Sequence, residues 1–212
     1  MSPTDVFAVI KCKFPSAGEE IATEKFLAAA KEVPDIIGAL GTVLMPVKMD
    51  IVNNIQKLSG KLSEEPEKYK LLFDMVREEG FDASAPGTIS LLWLKRGLEM
   101  FRGALCTLLE AHKSKNPSNS LVEQFRGVYS KCLSQYHGWA LQKLFYIGLA
   151  ALPYRTSMVE SLRDAHRKDG EEPESDETFY KNLEAFIDNL SGCLDPIIAF
   201  FDDHGLNSRD RV

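Results

Sequence analysis

The segment Pro46-Val-Lys-Met-Asp-Ile-Val-Asn-Asn-Ile-Gln-Lys57 carries a carboxylate, an amide and an ammonium at helical spacing. At roughly 100° per residue, Asp50, Asn54 and Lys57 fall within about 60° of one another. Val47, Ile51, Ile55 and Leu58 form the adjoining stripe over roughly a further 80°. The polar set therefore borders the core-facing side of a helix. Its three groups accept and donate several hydrogen bonds, which is the chemistry a polyhydroxyl ligand asks for. A solvated helix face whose acid and base stand one or two turns apart has the same spacing, and spacing does not separate the two.

Trp93 stands in the most apolar of the helical segments. It is either a core residue or a flat indole face for a sugar ring, whose C–H surface packs on aromatics while the indole N–H seeks an acceptor. His137, in Tyr136-His-Gly-Trp139, is either a satisfied core histidine or a donor aimed at a buried carbonyl of a ligand. Gly138 reads as a helix-interior glycine, which costs about 1 kcal/mol relative to alanine and implies close backbone approach. Enzyme chemistry finds little support. Ser134 and His137 share a face at i, i+3 without a nucleophile elbow, and an Asp50–His137 acid/base pair would lack both nucleophile and cofactor. No His-Glu-x-x-His, phosphate-cradling loop or Cys/His cluster is present, so no cofactor or metal is expected.

Helices must position these groups, because apolar residues recur at helical spacing and no stretch alternates as a strand does. The pattern predicts a helix over about Glu19 to Glu32, with Pro34 just beyond its end, and a second over Asp35 to Leu44. A third spans Val47 to Leu62, with Pro46 suited to its first turn. A fourth starts near Ser63-Glu-Glu-Pro66 and ends at Gly80. After Ala85-Pro-Gly87, a long central helix covers about Thr88 to His112, apolar nearly all round. Asn116 to Asn119 is a loop. A second long helix then covers about Ser120 to Ala151, stopped by Pro153, and a shorter one Tyr154 to His166. The acidic Arg167 to Glu177 is a solvated loop. A last helix, Thr178 to Asp203, is expected to kink at Pro196. Seven or eight helices with short links make an all-α domain of packed layers.

A chain of 212 residues with 44% hydrophobic residues suits one buried core, so residues 1–212 read as one domain. The net charge of -6 argues against nucleic acid as a partner. The stretch from Lys131 to Arg163 nevertheless holds four basic residues and one acid beside several aromatics, a surface suited to lipid headgroups. Four scattered cysteines suggest a reducing compartment. The polar start of the chain is unlike a secretory signal, and the eleven apolar residues from Leu144 to Tyr154 are too few to span a bilayer. A cytoplasmic location is the expectation.

Three blocks in this order resemble the glycolipid transfer protein family: Pro46 to Lys57, Leu91-Leu-Trp-Leu-Lys-Arg-Gly-Leu98, and Tyr136-His-Gly-Trp-Ala-Leu-Gln-Lys-Leu-Phe145 with Ala151-Leu-Pro-Tyr-Arg155. The similarity extends from about Thr23 to Phe201. It implies a two-layer all-α sandwich of about eight helices, with a sugar site at the surface and an apolar pocket between the layers. It implies further that Asp50 bridges a ceramide amide N–H and a sugar hydroxyl, and that Asn54 and Lys57 bind further hydroxyls. Trp93 would be the sugar platform and His137 the donor to the ceramide amide carbonyl. Trp139, with Tyr154 and Arg155, would touch the membrane. Apolar side chains such as Phe101, Leu105 and Phe145 are expected to line the space for the lipid chains. The partners implied are a glycosphingolipid, such as galactosyl- or glucosylceramide, and transiently a membrane surface. A glycolipid sensor of the same fold, a ceramide-1-phosphate carrier, a helical interaction module and a hydrolase are the competing readings. Trp93 favours a sugar over a phosphate, which calls for a cationic fork. The tail from Gly205 to Val212 lacks the tyrosine that such carriers of the animal type place near the C-terminus, so no tail residue is carried over to the site and the role of the tail stays open.

Overall fold

In the computed structural model of the chain, which describes residues 5–16, 20–115 and 117–207, the apolar periodicity becomes nine α-helices among the described residues. They are α1 (Thr23–Ala30), α2 (Val33–Leu40), α3 (Met45–Glu64), the single turn α4 (Asp74–Arg77), α5 (Pro86–Lys113), α6 (Val122–Cys132), α7 (Trp139–Leu149), α8 (Arg155–Arg163) and α9 (Asp176–Asp203). No strand occurs among the described residues; an isolated antiparallel bridge joins Ala22 to Leu71.

Helix α5 is central, as its all-round apolar pattern predicts. It packs most extensively on α3, and also on α9, α6 and α4, while α1 and α2 back α3 and α8 docks on α2. Its N-terminus is held by Glu79, whose carboxylate accepts from the N–H groups of Gly87 at 2.8 Å and Thr88 at 2.7 Å and pairs with Lys61. Burial raises the Glu79 carboxyl, but Lys61 and these N–H groups outweigh it and hold the pKa below its usual value. At the other long helix, α9, Ser175 caps the first turn by accepting from Thr178 N at 3.2 Å. The fully buried Asp5 ties the N-terminal segment to α9, accepting from Asn182 Nδ2 at 2.9 Å.

Several expected boundaries move, each for a local reason. Pro34 does not end the first helix from outside. It sits in the first turn of α2, where its missing N–H has no helical partner to lose. That second helix stops at Leu40, because Gly41 turns away at φ 121° and Thr42–Leu44 form a 3-10 turn. The fourth helix is only α4, and Gly80, at φ 66°, closes it with Gly80 N–H to Arg77 O and Phe81 N–H to Val76 O. Pro196 lies inside an unbroken α9. Glu19, residues 1–4, Asn116 and the tail from 208 onward lie outside the described residues.

The largest correction concerns the helix expected over 120–151. It is two helices, α6 and α7, separated by a 3-10 turn at Ser134–Tyr136 and an extended His137 (φ -100°, ψ 137°). Gly138 is therefore not in a helix interior. It is the extended residue (φ -63°, ψ 161°) from which α7 starts. The carbonyls released by the break are taken by a side chain: Gln142 Nε2 donates to Ser134 O at 2.7 Å and His137 O at 2.8 Å. The side-chain amide thus supplies a donor to both carbonyls, that of Ser134 also accepting from His137 N–H at 3.3 Å.

Candidate functional site

A cavity of about 440 Å³ opens between α3, α5 and α7, a size within the roughly 300–1,000 Å³ of small-ligand sites. One wall is the border of α3, with Asp50, Asn54 and Lys57 beside Pro46 and Val47. Opposite stand Ile89, Trp93 and Gly97, spaced by one helical turn along α5. Leu133 and His137 before α7, and Leu141 and Phe145 within it, close the remainder. Asp50, Asn54, Lys57, Trp93 and His137, which lie in three separate parts of the chain, thus share one cavity. Of the three apolar side chains expected along it, Phe145 lines it, whereas Phe101 and Leu105 are buried in the core.

The α3 border is organised before any ligand arrives. Asn54 is only 4% exposed, and its Nδ2 donates both to the Asp50 carbonyl at 2.8 Å and to Asp50 Oδ1 at 3.1 Å. Both donors of that amide are engaged, so Oδ1 of Asn54 is the atom left to bind outward. Asp50 is exposed at the rim of the cavity, with the protein on one side of it. The partial loss of solvent around its carboxyl raises its pKa, although the Asn54 hydrogen bond and the Lys57 charge pull the other way.

Across the cavity, Trp93 and His137 lie nearly parallel, with ring centroids 6.1 Å apart and 15° between planes. His137 Nδ1 is 2.8 Å from Tyr129 Oη. Burial, and then Tyr146, push the Tyr129 phenol up to about 12, so it keeps its proton and can donate. Burial and the Arg96 charge hold His137 below its usual value, so the ring is neutral at neutral pH. With Nδ1 accepting from Tyr129, the ring keeps its hydrogen on Nε2, which becomes its remaining donor. Tyr129 and Arg96 were not singled out from sequence. Tyr129 sits 8 residues before His137 in a pattern that also fits plain core, and no sequence signal marks it. The i, i+4 series Ile89, Trp93, Gly97 is visible in the sequence and points to one face of α5.

The three residues expected at a membrane surface separate. Trp139 is 74% exposed and Tyr154 63% exposed, and Lys143 Nζ lies 5.7 Å from the Trp139 ring centroid. Arg155 is instead half-buried beside the Tyr180 phenol of α9. On α7 the exposed face continues through Leu144 and Ile147, each 65% exposed. Only Leu149 of this helix is buried. Apolar side chains therefore point both into the cavity and away from the protein. Among the described residues no helix is long and apolar enough to cross a membrane, and no group of His, Cys, Asp and Glu could hold a metal ion.

A family model described as glycolipid transfer protein (GLTP) matches residues 21–164. The chain is 31% identical over 191 residues to a glycolipid transfer protein of Danio rerio, covering 87% of this chain and 88% of that one. Among solved structures it is similar to the GLTP-fold domain by which FAPP2 selects simple glycosphingolipids, with a TM-score of 0.78, 27% identity, and coverage of 98% of this chain and 100% of that one. The human ceramide-1-phosphate transfer protein, solved with its 12:0 ligand, shares the fold at a TM-score of 0.76 and 19% identity, over 97% of this chain and 99% of that one. The all-α, two-layer architecture is common to them.

Proposed function

The chain belongs to the glycolipid transfer protein family, and from that premise we propose that it binds one glycosphingolipid and carries it between membranes. Galactosyl- and glucosylceramide are the ligand class. The observation that carries the reading is the division of the cavity, which sets a hydrogen-bonding border (Asp50, Asn54, Lys57) and a flat indole (Trp93) above apolar walls of Val47, Leu133, Leu141 and Phe145. The indole takes the sugar ring. Asp50 accepts from the ceramide amide N–H and a sugar hydroxyl, while Asn54 Oδ1 and the Lys57 ammonium take further hydroxyls. His137 Nε2–H donates to the amide carbonyl. An amide taken out of water needs both halves met, since each unmet group costs roughly 1–3 kcal/mol. The lipid chains gain about 0.8 kcal/mol per CH₂ buried.

No bond is made or broken in this cycle; the groups of the cavity hold and release. Trp139, Tyr154 and the outer face of α7 meet the headgroup layer, where amphipathic aromatics settle. Four unpaired cysteines suit the reducing cytoplasm, where we place the protein. A phosphate ligand fits the cavity less well. Lys57 is the cation in its lining, while Arg96 is 1% exposed and stacked on Trp93. The test is an intermembrane transfer assay with glucosylceramide, ceramide-1-phosphate and phosphatidylcholine. Glucosylceramide is expected to move far the fastest; equal or faster ceramide-1-phosphate transfer would overturn the sugar assignment.

A further inference from the structure

The end of α9 delivers one side chain to the back of the Trp93 platform. Gly205, at φ 64°, stops the helix with its N–H on Asp202 O at 3.1 Å, and Leu206 N–H returns to Phe201 O at 2.9 Å. Leu206 then plugs into the core, which fixes the direction in which residue 207 leaves. Asn207 Oδ1 accepts from Arg96 Nη2 at 3.1 Å and from Tyr136 Oη at 3.2 Å, while its Nδ2 donates to Asp202 Oδ1 at 3.0 Å. The Arg96 guanidinium lies 3.4 Å from the Tyr136 ring centroid and 4.8 Å from that of Trp93. Tyr136 in turn meets Trp93 edge-on, at 6.5 Å and 79°. A single amide oxygen therefore joins the two groups that bracket the indole.

We infer that Asn207 is a positioning residue, which holds the Trp93 platform through Arg96 and Tyr136 and so links the C-terminal segment to headgroup binding. The sequence carries over no role for the tail, and the inference assigns one to Asn207. It rests on the glycolipid reading for its effect on binding, though not for its effect on the indole. Neither Arg96 nor Asn207 lines the cavity, so Asn207 acts on the ligand through the aromatic pair.

The test uses the full chain carrying Trp139→Phe, so that Trp93 is the sole tryptophan reporter. Asn207→Ala and the gentler Tyr136→Phe are compared alone and together. Without lipid, each is expected to shift the Trp93 emission and lower its anisotropy. Titration with dispersed short-acyl glucosylceramide is expected to show a loss of about three- to tenfold for Asn207→Ala, the scale of one net hydrogen bond. The double variant is expected to lose less than the product of the two single losses, since both remove one linkage. Emission and affinity unchanged in Asn207→Ala, or losses that simply multiply, overturn the inference. A merely structural latch would lower the melting temperature and leave both readouts alone, which also overturns it. If the wild-type protein fails to bind glucosylceramide, the functional reading falls, and the lipid-free emission of the reporter still decides the role of Asn207.

Discussion

Replacing Gly97 by alanine places a methyl group where α3 and α5 meet. Its carbon would stand 2.8 Å from Cγ1 and 3.2 Å from Cδ1 of Ile51, a side chain with no exposed surface. Ordinary contact begins near 3.4 Å, so the shortfall (3.4 minus 2.8) is about 0.6 Å. Either the helices part by that amount or Ile51 leaves its rotamer in a filled core. Overpacking of this kind costs about 1–3 kcal/mol. Against it stands the better helix propensity of alanine, worth about 1 kcal/mol. The net effect is a loss of about 0–2 kcal/mol, or a fall in melting temperature of up to about 8 °C. The same parting moves Asp50, adjacent to Ile51, away from Trp93, one turn before Gly97. Weakening one hydrogen bond by about 1 kcal/mol gives a roughly fivefold loss of glucosylceramide transfer. Thermal melting and the transfer assay measure the two effects separately. Gly60→Ala, on a stretch of α3 with nothing within 4 Å, is the control and should gain stability. A Gly97→Ala protein that melts at or above the wild-type temperature and transfers normally would refute the close approach.

Trp139→Ala should weaken binding to vesicles and slow transfer while leaving the melting temperature within about 1 °C, because an exposed side chain contributes little to folding; sedimentation with vesicles checks it. Burial raises the Asp50 carboxyl above its usual pKa against Asn54 and Lys57. A raised carboxyl favours folding while protonated, and that contribution is lost as pH climbs through its folded value. Asp50→Asn should therefore raise the melting temperature near neutral pH, lose that advantage below about pH 4, and abolish most transfer throughout. Tyr129→Phe frees His137 Nδ1 and should cut transfer by about three- to tenfold with a melting shift of about 2–4 °C. His137→Leu should cut transfer further, and normal transfer by that variant would make His137 a core residue.

The α3 border was legible because helical periodicity alone puts Asp50, Asn54 and Lys57 on one face, and α3 is a regular helix. Trp93 was ambiguous for a physical reason: a platform residue is half in the core, and its composition looks the same from either side. The break before α7 escaped notice because Ser134-Gln-Tyr-His-Gly138 contains no proline, and a lone glycine is tolerated within helices. The residue that repairs the break, Gln142, does so through its side chain, which no periodicity encodes. Tyr129 and Arg96 gain their roles from partners 8 and 111 residues away, so only the folded arrangement displays them. Phe101 and Leu105 are as apolar as Phe145, and only packing decides which of them faces the cavity.

Helix α7 fully buries one side chain, Leu149, packs Phe145 and Tyr146 only partly against the core, and begins at an extended glycine rather than in the body of a longer helix. Two quantities that are often coupled in small proteins thereby come apart. The most extensive helix packing joins α5 to α3 and α9, whereas α7, which closes part of the cavity, packs on α6 and is seated more lightly. Lipid exchange can then be fast on a scaffold that unfolds slowly. Substitutions at Leu141, Leu144 or Ile147 are expected to change the rate of loading and unloading more than the melting temperature.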